Sequence, residues 1–243
     1  MIVKEENMAV LLLRLSGPLQ SWGTKSRFSN RDTELEPSKS GVVGLICAAM
    51  GVKRDDTITI EKLAKLKMGV RVDKEGTMKK DYHTALNVAK SGGGKPKDCE
   101  PSDRYYLSDA CFLIALQGDS DLLKSIDRAM QKPKWQLFLG RKSFVPSQPV
   151  WLPNGYLPQF DSVEDALRNY PYLCQSMDEN KRPQSLRLEI ETDYGEGEKV
   201  RRDQPECFIQ GHRKFGLRYV TSKYINYPEL PQPKEDEKCI FLV

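Results

Sequence analysis

Four segments carry residue types that can do chemistry, and in each the chemistry is the holding of phosphates and unpaired bases. SKSG at 38–41 sets Ser38, Lys39 and Ser40 at the start of an apolar helical pattern, behind a polar loop with Lys25, Arg27 and Arg31. Free N–H groups at a helix start carry a partial positive charge, so a lysine and two hydroxyls there suit a phosphate. Ordinary capping explains the same residues, and the G-x-x-x-x-G-K frame of a phosphate-binding loop is absent. In GPLQSWG, 17–23, Gln20 and Trp22 follow an apolar run, where an amide can bond a base edge and an indole can stack on a base or lie as a lid on the core. In 79–106, Lys79, Lys80, Lys90, Lys95, Lys97 and Arg104 interleave with Tyr82, His83, Tyr105 and Tyr106, offset by Asp81, Asp98, Glu100 and Asp103. That mixture fits an RNA backbone with splayed bases, or a solvated loop. LGRKS at 139–143 supplies Arg141 and Lys142, and HRKFGLR at 212–218 supplies Arg213 and Arg218, cations that line phosphates or face water.

Catalytic signals are sparse. His83 beside Lys80 and Tyr82 can in principle take a 2′-OH proton, but a solvated histidine is the simpler reading. There is no G-x-S-x-G elbow and no H-E-x-x-H. Cys47, Cys99, Cys111, Cys174, Cys207 and Cys239 are widely spaced with no C-x-x-C pair, so they read as reduced thiols and no metal or cofactor is expected.

The chain that must position these residues has 243 of them, 39% hydrophobic and 30% charged, which excludes a disordered tail and a disulfide mini-scaffold. With 38 basic against 34 acidic side chains the net charge is only +4, so distribution decides more than the total. The longest apolar run, Met8 to Leu13, is broken by Arg14 and is too short to span a bilayer. The N-terminus has acidic residues where a signal peptide needs basic ones, so a cytoplasmic location without membrane contact is expected.

Ala9–Leu15 reads as a buried, central first strand. SKSGVVGLICAAMG reads as a helix capped by Ser38 or Ser40 and closed by Gly51, with Lys39 at the surface. A short helix over Thr59–Leu66 and a strand over Gly69–Val72 precede a protruding arm. A strand in ACFLIAL, a helix after Asp119 or Ser120 stopped by Pro133, and a last strand at Trp135–Leu139 follow. This order matches a split βαβ, or ferredoxin-like, unit with an insertion between its middle strands. Domain 1–144 would hold that unit with the insertion at about 74–105. A mainly β region, 145–243, would hold a short helix near Ser162–Tyr170, strands at Ser185–Glu191 and Lys199–Arg202, and the surface linker PELPQPKEDEK.

Taken together, GPLQSWG, SKSGVVGLICAAMGVKRDD, FLGRKSFVPSQPV and the R-x-D-x-P stretch Arg201–Pro205 resemble the CasD family of type I-E CRISPR Cascade complexes, part of the RAMP superfamily, over residues 9 to about 220. The resemblance implies an α+β fold, a ferredoxin-like (RRM-type) domain with a thumb hairpin and a mainly β C-terminal region. It also implies a non-catalytic subunit, without cofactor, that caps the 5′ handle of the crRNA in antiviral defence. Its partners would be the backbone subunit CasC and the large subunit CasA, with target DNA met only through the complex. A related type I-C branch cleaves precursor RNA without metal, through tyrosine, lysine and histidine. This chain departs from that branch at QSWG and LGRKS. The expected RNA-binding set is Gln20, Trp22, Lys25, Arg27, Ser38, Lys39, Ser40, His83, Arg104, Arg141, Lys142, Arg213 and Arg218, with Lys39, Arg27 and Arg141 converging on one groove.

Overall fold

The computed structural model describes residues 8–26, 29–90, 92–174 and 183–231. Arg27, Cys239 and residues 232–238 of the expected C-terminal linker lie outside the described residues.

The first strand, β1 (Met8–Ser16), is buried on both faces, which is why it reads as an unbroken apolar run rather than an alternation. Leu11, Leu13 and Leu15 enter one core, and Val10 and Leu12 enter another. β2 (Leu19–Gln20) and β3 (Asn30–Arg31) are two-residue strands. Helix α1 (Lys39–Met50) begins at the Ser38 cap, whose Oγ accepts from Gly41 N, and ends at Gly51 in the left-handed region, φ 75°. Both ends agree with the sequence pattern. α2 (Thr57–Ala64) is capped by Asp56 and leads into β4 (Lys67–Lys74).

The expected arm is an antiparallel hairpin, β5 (Thr77–Val88) paired with β6 (Lys97–Ser108). The far side of β6 receives β2 near its base, through Leu19 and Gln20, and β3 through Asn30 and Arg31. β7 (Cys111–Asp119) is the buried strand seen in ACFLIAL, and α3 (Ser120–Gln131) follows with Asp119 as its cap.

The strand expected at Trp135–Leu139 is not formed. Lys134 N and Trp135 N donate to the α1 carbonyls of Ala49 and Ala48 at 2.9 and 3.2 Å, and Leu139 N donates to Phe144 O at 2.7 Å. The segment is therefore spent on closing the end of α1 and on a local turn. β8 (Trp151–Leu157) pairs with β1 instead. Beyond it lie α4 (Val163–Arg168), β9 (Ser185–Thr192), β10 (Lys199–Cys207) and β11 (Lys214–Asn226).

Among the described residues the larger sheet has seven antiparallel strands in the order β10-β11-β9-β4-β7-β1-β8. β9, β10 and β11 thus extend the β4 edge of the same sheet. α1, α2 and α3 cover one face around Phe112, Ile114 and Val70, and α4 covers the other around Leu113, Ala115 and Leu188. The fold is mixed α and β, with most of its regular structure in strands. No helix among the described residues is long and apolar enough to cross a membrane.

Candidate nucleic-acid interface

A groove of about 880 Å³ opens between the base of the hairpin, one flank of α1 and the β10–β11 end. At the hairpin base three guanidinium groups meet. Arg31 on β3 is the register partner of Arg104 on β6, so two like charges sit side by side on neighbouring strands. Arg141 joins them, donating from Nη2 to Tyr105 O at 2.8 Å and to Arg31 O at 3.5 Å, with its guanidinium 5.2 Å from the centre of the Phe144 ring. Burial, then the charge of Arg104, weakens the hold of Arg141 on its proton; Asp81, the register partner of Arg104 on β5, opposes this, and Arg31 adds to the weakening. Like charges in opposed sheet positions cost stability, so an arrangement of this kind favours an anion between them.

Lys142 and Arg213 line the same groove, and Lys53 and Arg54 line it beyond the end of α1. Among the described residues none of these seven cations has a carboxylate oxygen within 4 Å, and Asp32 is the single acidic residue in the lining. The Asp32 carboxylate is itself taken, accepting from Lys25 N at 3.0 Å and from Ser26 Oγ. The α1 flank is small here, with Ser40, Gly44 and Ala48. A Cβ placed on Gly44 would meet nothing within 4 Å, so the backbone of α1 is bare to whatever enters.

The buried cations at the start of α1 are paired. Lys39 is 1% exposed, not at the surface as expected. Its Nζ donates to both Glu191 oxygens at 2.7 and 2.9 Å, and its backbone N–H donates to Asp203 Oδ2 at 2.8 Å. Burial weakens the Lys39 ammonium's hold on its proton, and Glu191 opposes this. Arg218 is also buried and grips Asp203 through Nε and Nη2 at 2.9 and 2.7 Å. The start of α1 is therefore closed by the chain's own carboxylates. Ser38 caps the helix, and neither it nor Lys39 nor Arg218 faces the groove.

Gln20 and Trp22 are turned inward too. The Gln20 amide, fully buried, donates to Leu15 O at 3.2 Å and Ala110 O at 2.7 Å and accepts from the Trp22 indole at 3.2 Å. Trp22 is 2% exposed, packed against Gly41, and touches the groove only as part of its floor. The polar groups a base edge would need are already satisfied inside the protein. Lys25 is exposed, 3.9 Å from Glu34, and lies outside the groove lining, as does half-buried His83 on β5.

Of the thirteen residues expected from sequence, Ser40, Arg104, Arg141, Lys142 and Arg213 come together in the groove, with Trp22 beneath. Sequence reasoning overlooked Arg31, Lys53 and Arg54 as site residues, and also the aromatic lining of Trp135, Phe208 and Phe215. Arg31 sits in the basic loop, and Lys53 and Arg54 lie two and three residues beyond the helix-closing Gly51, so proximity to a recognised element was the available signal.

The family model described as CRISPR-associated protein (Cas_Cas5) matches residues 10–221. The CRISPR system Cascade subunit CasD of Escherichia coli (strain K12) is 32% identical over 173 residues, 66% of this chain and 76% of that protein. A solved structure described as a Cas protein is 40% identical with a TM-score of 0.73, covering 92% of this chain and 98% of that one. A chain of a CRISPR RNA-guided surveillance complex is 30% identical with a TM-score of 0.75, covering 96% and 97%.

Proposed function

The chain belongs to the Cas5 family of CRISPR-associated proteins, and on that premise we propose that it is a non-catalytic subunit of a Cascade-type, CRISPR RNA-guided surveillance complex that grips the 5′ handle of the crRNA in its cationic groove. The observation that carries the reading is the separation of charge. Cations lining the groove have no carboxylate partner among the described residues, while the buried Lys39, Arg71 and Arg218 are tied to carboxylates. Unpaired arginines gathered on one concave surface form an electrostatic footprint for a phosphate chain.

In this reading β4, β7, β1 and β8 with α1 and α3 are a ferredoxin-like unit of the RNA-recognition type, since their strand order is that of a βαββαβ chain with a hairpin inserted between its middle strands. The β5–β6 hairpin is the thumb, and its base closes the groove through Arg31 and Arg104. Lys142 and Arg213 hold the phosphates farther along. The backbone and large subunits of the complex would be its protein partners, and target DNA would be met only through the assembly.

The non-catalytic reading is supported by the hairpin's geometry. Tyr82 and His83 are consecutive strand residues and so project to opposite faces, and Lys80 Nζ is 3.5 Å from Asp103. No nucleophile, base and cation converge there.

The test is retention of a labelled handle RNA by the purified chain. The Arg104→Ala/Arg141→Ala variant is expected to lose most of it, while Lys124→Ala/Arg128→Ala, with its changes on α3, retains it. Equal retention by all three proteins would overturn the assignment.

A further inference from the structure

Trp135 is the one tryptophan of the three that is presented to solvent. It is 46% exposed, whereas Trp22 is buried and Trp151 is half-buried with its indole N–H donating to Asp127 at 2.9 Å. The Trp135 indole N–H has no partner among the described residues. Leaving so large an apolar side chain in water forgoes the stabilisation that burial would bring.

The backbone that carries the ring is nonetheless held in place. The backbone on either side of the Lys134–Trp135 bond closes the C-terminal carbonyls of α1, and the Lys134 side chain lies over Gly51. Pro133 fixes the chain just before. The exposed indole is therefore carried on a fixed backbone in the groove wall, close in sequence and space to the end of α1.

Its surroundings have a definite chemistry. The α1 flank beside it in the groove is Gly44 and Ala48, which leave room for a flat ring. Lys53 and Arg54, exposed and without carboxylate partners among the described residues, stand where the chain leaves α1. Phe208 and Phe215, 6.4 Å apart between ring centres, line the β10–β11 side. A flat aromatic platform, open space and flanking cations match a nucleobase with its two phosphates. A protein partner would leave Lys53 and Arg54 without counter-charge unless it were acidic.

We propose that Trp135 is a stacking platform for one unpaired base of the bound RNA, with Lys53 and Arg54 holding the adjoining phosphates. This rests on the reading of the groove as an RNA site and adds where along it a base is unstacked and held. Stacking is tolerant of base identity, so the platform would fix the path of the strand rather than read its sequence.

The full chain is titrated with a short single-stranded RNA while intrinsic tryptophan fluorescence and RNA anisotropy are followed. Wild type is expected to be quenched on binding. Trp135→Ala should lose that quench and bind roughly 5- to 100-fold more weakly, with its dependence on salt unchanged because no phosphate contact is removed. Trp135→Phe should keep most of the affinity. An RNA with an abasic position should lose affinity for wild type only when that position is the stacked one, and for Trp135→Ala should lose nothing further. Wild-type affinity in Trp135→Ala, or a quench that survives in it, would overturn the proposal. Absence of salt-dependent binding by wild type would instead overturn the RNA-binding reading itself.

Discussion

Lys39 Nζ lies 2.7 Å from Glu191 Oε1, joining the first residue of α1 to a strand 152 positions later in the chain. Met68 N also donates to Glu191, and Asp203 holds both the Lys39 backbone and Arg218. Four elements are thus pinned at the start of the helix whose flank forms the groove floor. The cluster neutralises itself, so its work is placement of the β10–β11 end against α1 rather than contact with a ligand.

Reversing the charge at Lys39 should therefore unfold rather than merely weaken binding. Lys39→Glu would set a carboxylate against Glu191 and Asp203 without water, and a loss of about 3–5 kcal/mol is expected. The Lys39→Met/Glu191→Gln pair should recover a large part of this, because it removes both charges together. Urea unfolding of the three proteins checks it, and a surface-like change below about 0.5 kcal/mol for Lys39→Glu would contradict the buried pair.

Two glycines of one helix should respond in opposite directions. Gly44→Ala meets open space and should stabilise α1 by about 0.5–1 kcal/mol. Gly41→Ala brings a Cβ to 2.9 Å from Trp22 Cε3 and should destabilise. A bulky Gly44→Phe should leave the fold intact but obstruct the groove, lowering RNA affinity. Thermal midpoints and anisotropy read the two effects separately.

Acid should attack this cluster and the neighbouring one around Glu189. Burial raises the Asp203 pKa, but the hydrogen bonds and charge of Arg218 outweigh it, and the carboxyl stays below its usual range. Glu189 is likewise held low against burial by Ser222, Arg187 and Lys199. Groups with depressed native pKa values contribute their full stability above the unfolded value and lose it as pH falls toward the native one. Stability should hold from neutral pH to about 5 and then decline, each group adding up to about 1.4 kcal/mol per pH unit. Asp203→Asn, less stable throughout, should show a shallower acid decline in urea unfolding at stepped pH.

Incubation with labelled precursor RNA in the absence of metal should leave it uncut, since Tyr82, His83 and Lys80 do not converge. Site-specific cleavage that disappears in His83→Ala would reverse that conclusion and support the nuclease reading.

The legible and illegible parts of the molecule divide on a physical line. Caps are local, so the α1 start could be narrowed to Ser38 or Ser40, its end to Gly51, and the α3 start to Asp119 or Ser120. β8 was missed because Pro153 and Gly155 argue against a strand, yet both are tolerated there because β8 is the sheet edge. Trp135–Leu139 has the composition of a strand, but its backbone donors go to α1. Cations near the groove could be seen, but which of them are free could not. Lys39 finds Glu191 and Arg201 finds Glu36 across more than 150 residues of sequence, and long-range pairing leaves no local trace.

The central claim, that unpaired cations clamp a single-stranded guide RNA, is tested most directly by the salt dependence of handle affinity. With about five phosphates neutralised, log affinity should fall against log salt with a slope near −3.5, at roughly 0.7 per contact, and Arg31→Ala, Arg104→Ala and Arg141→Ala should each make it shallower by about that increment. A slope near zero, or one untouched by all three substitutions, would contradict the account.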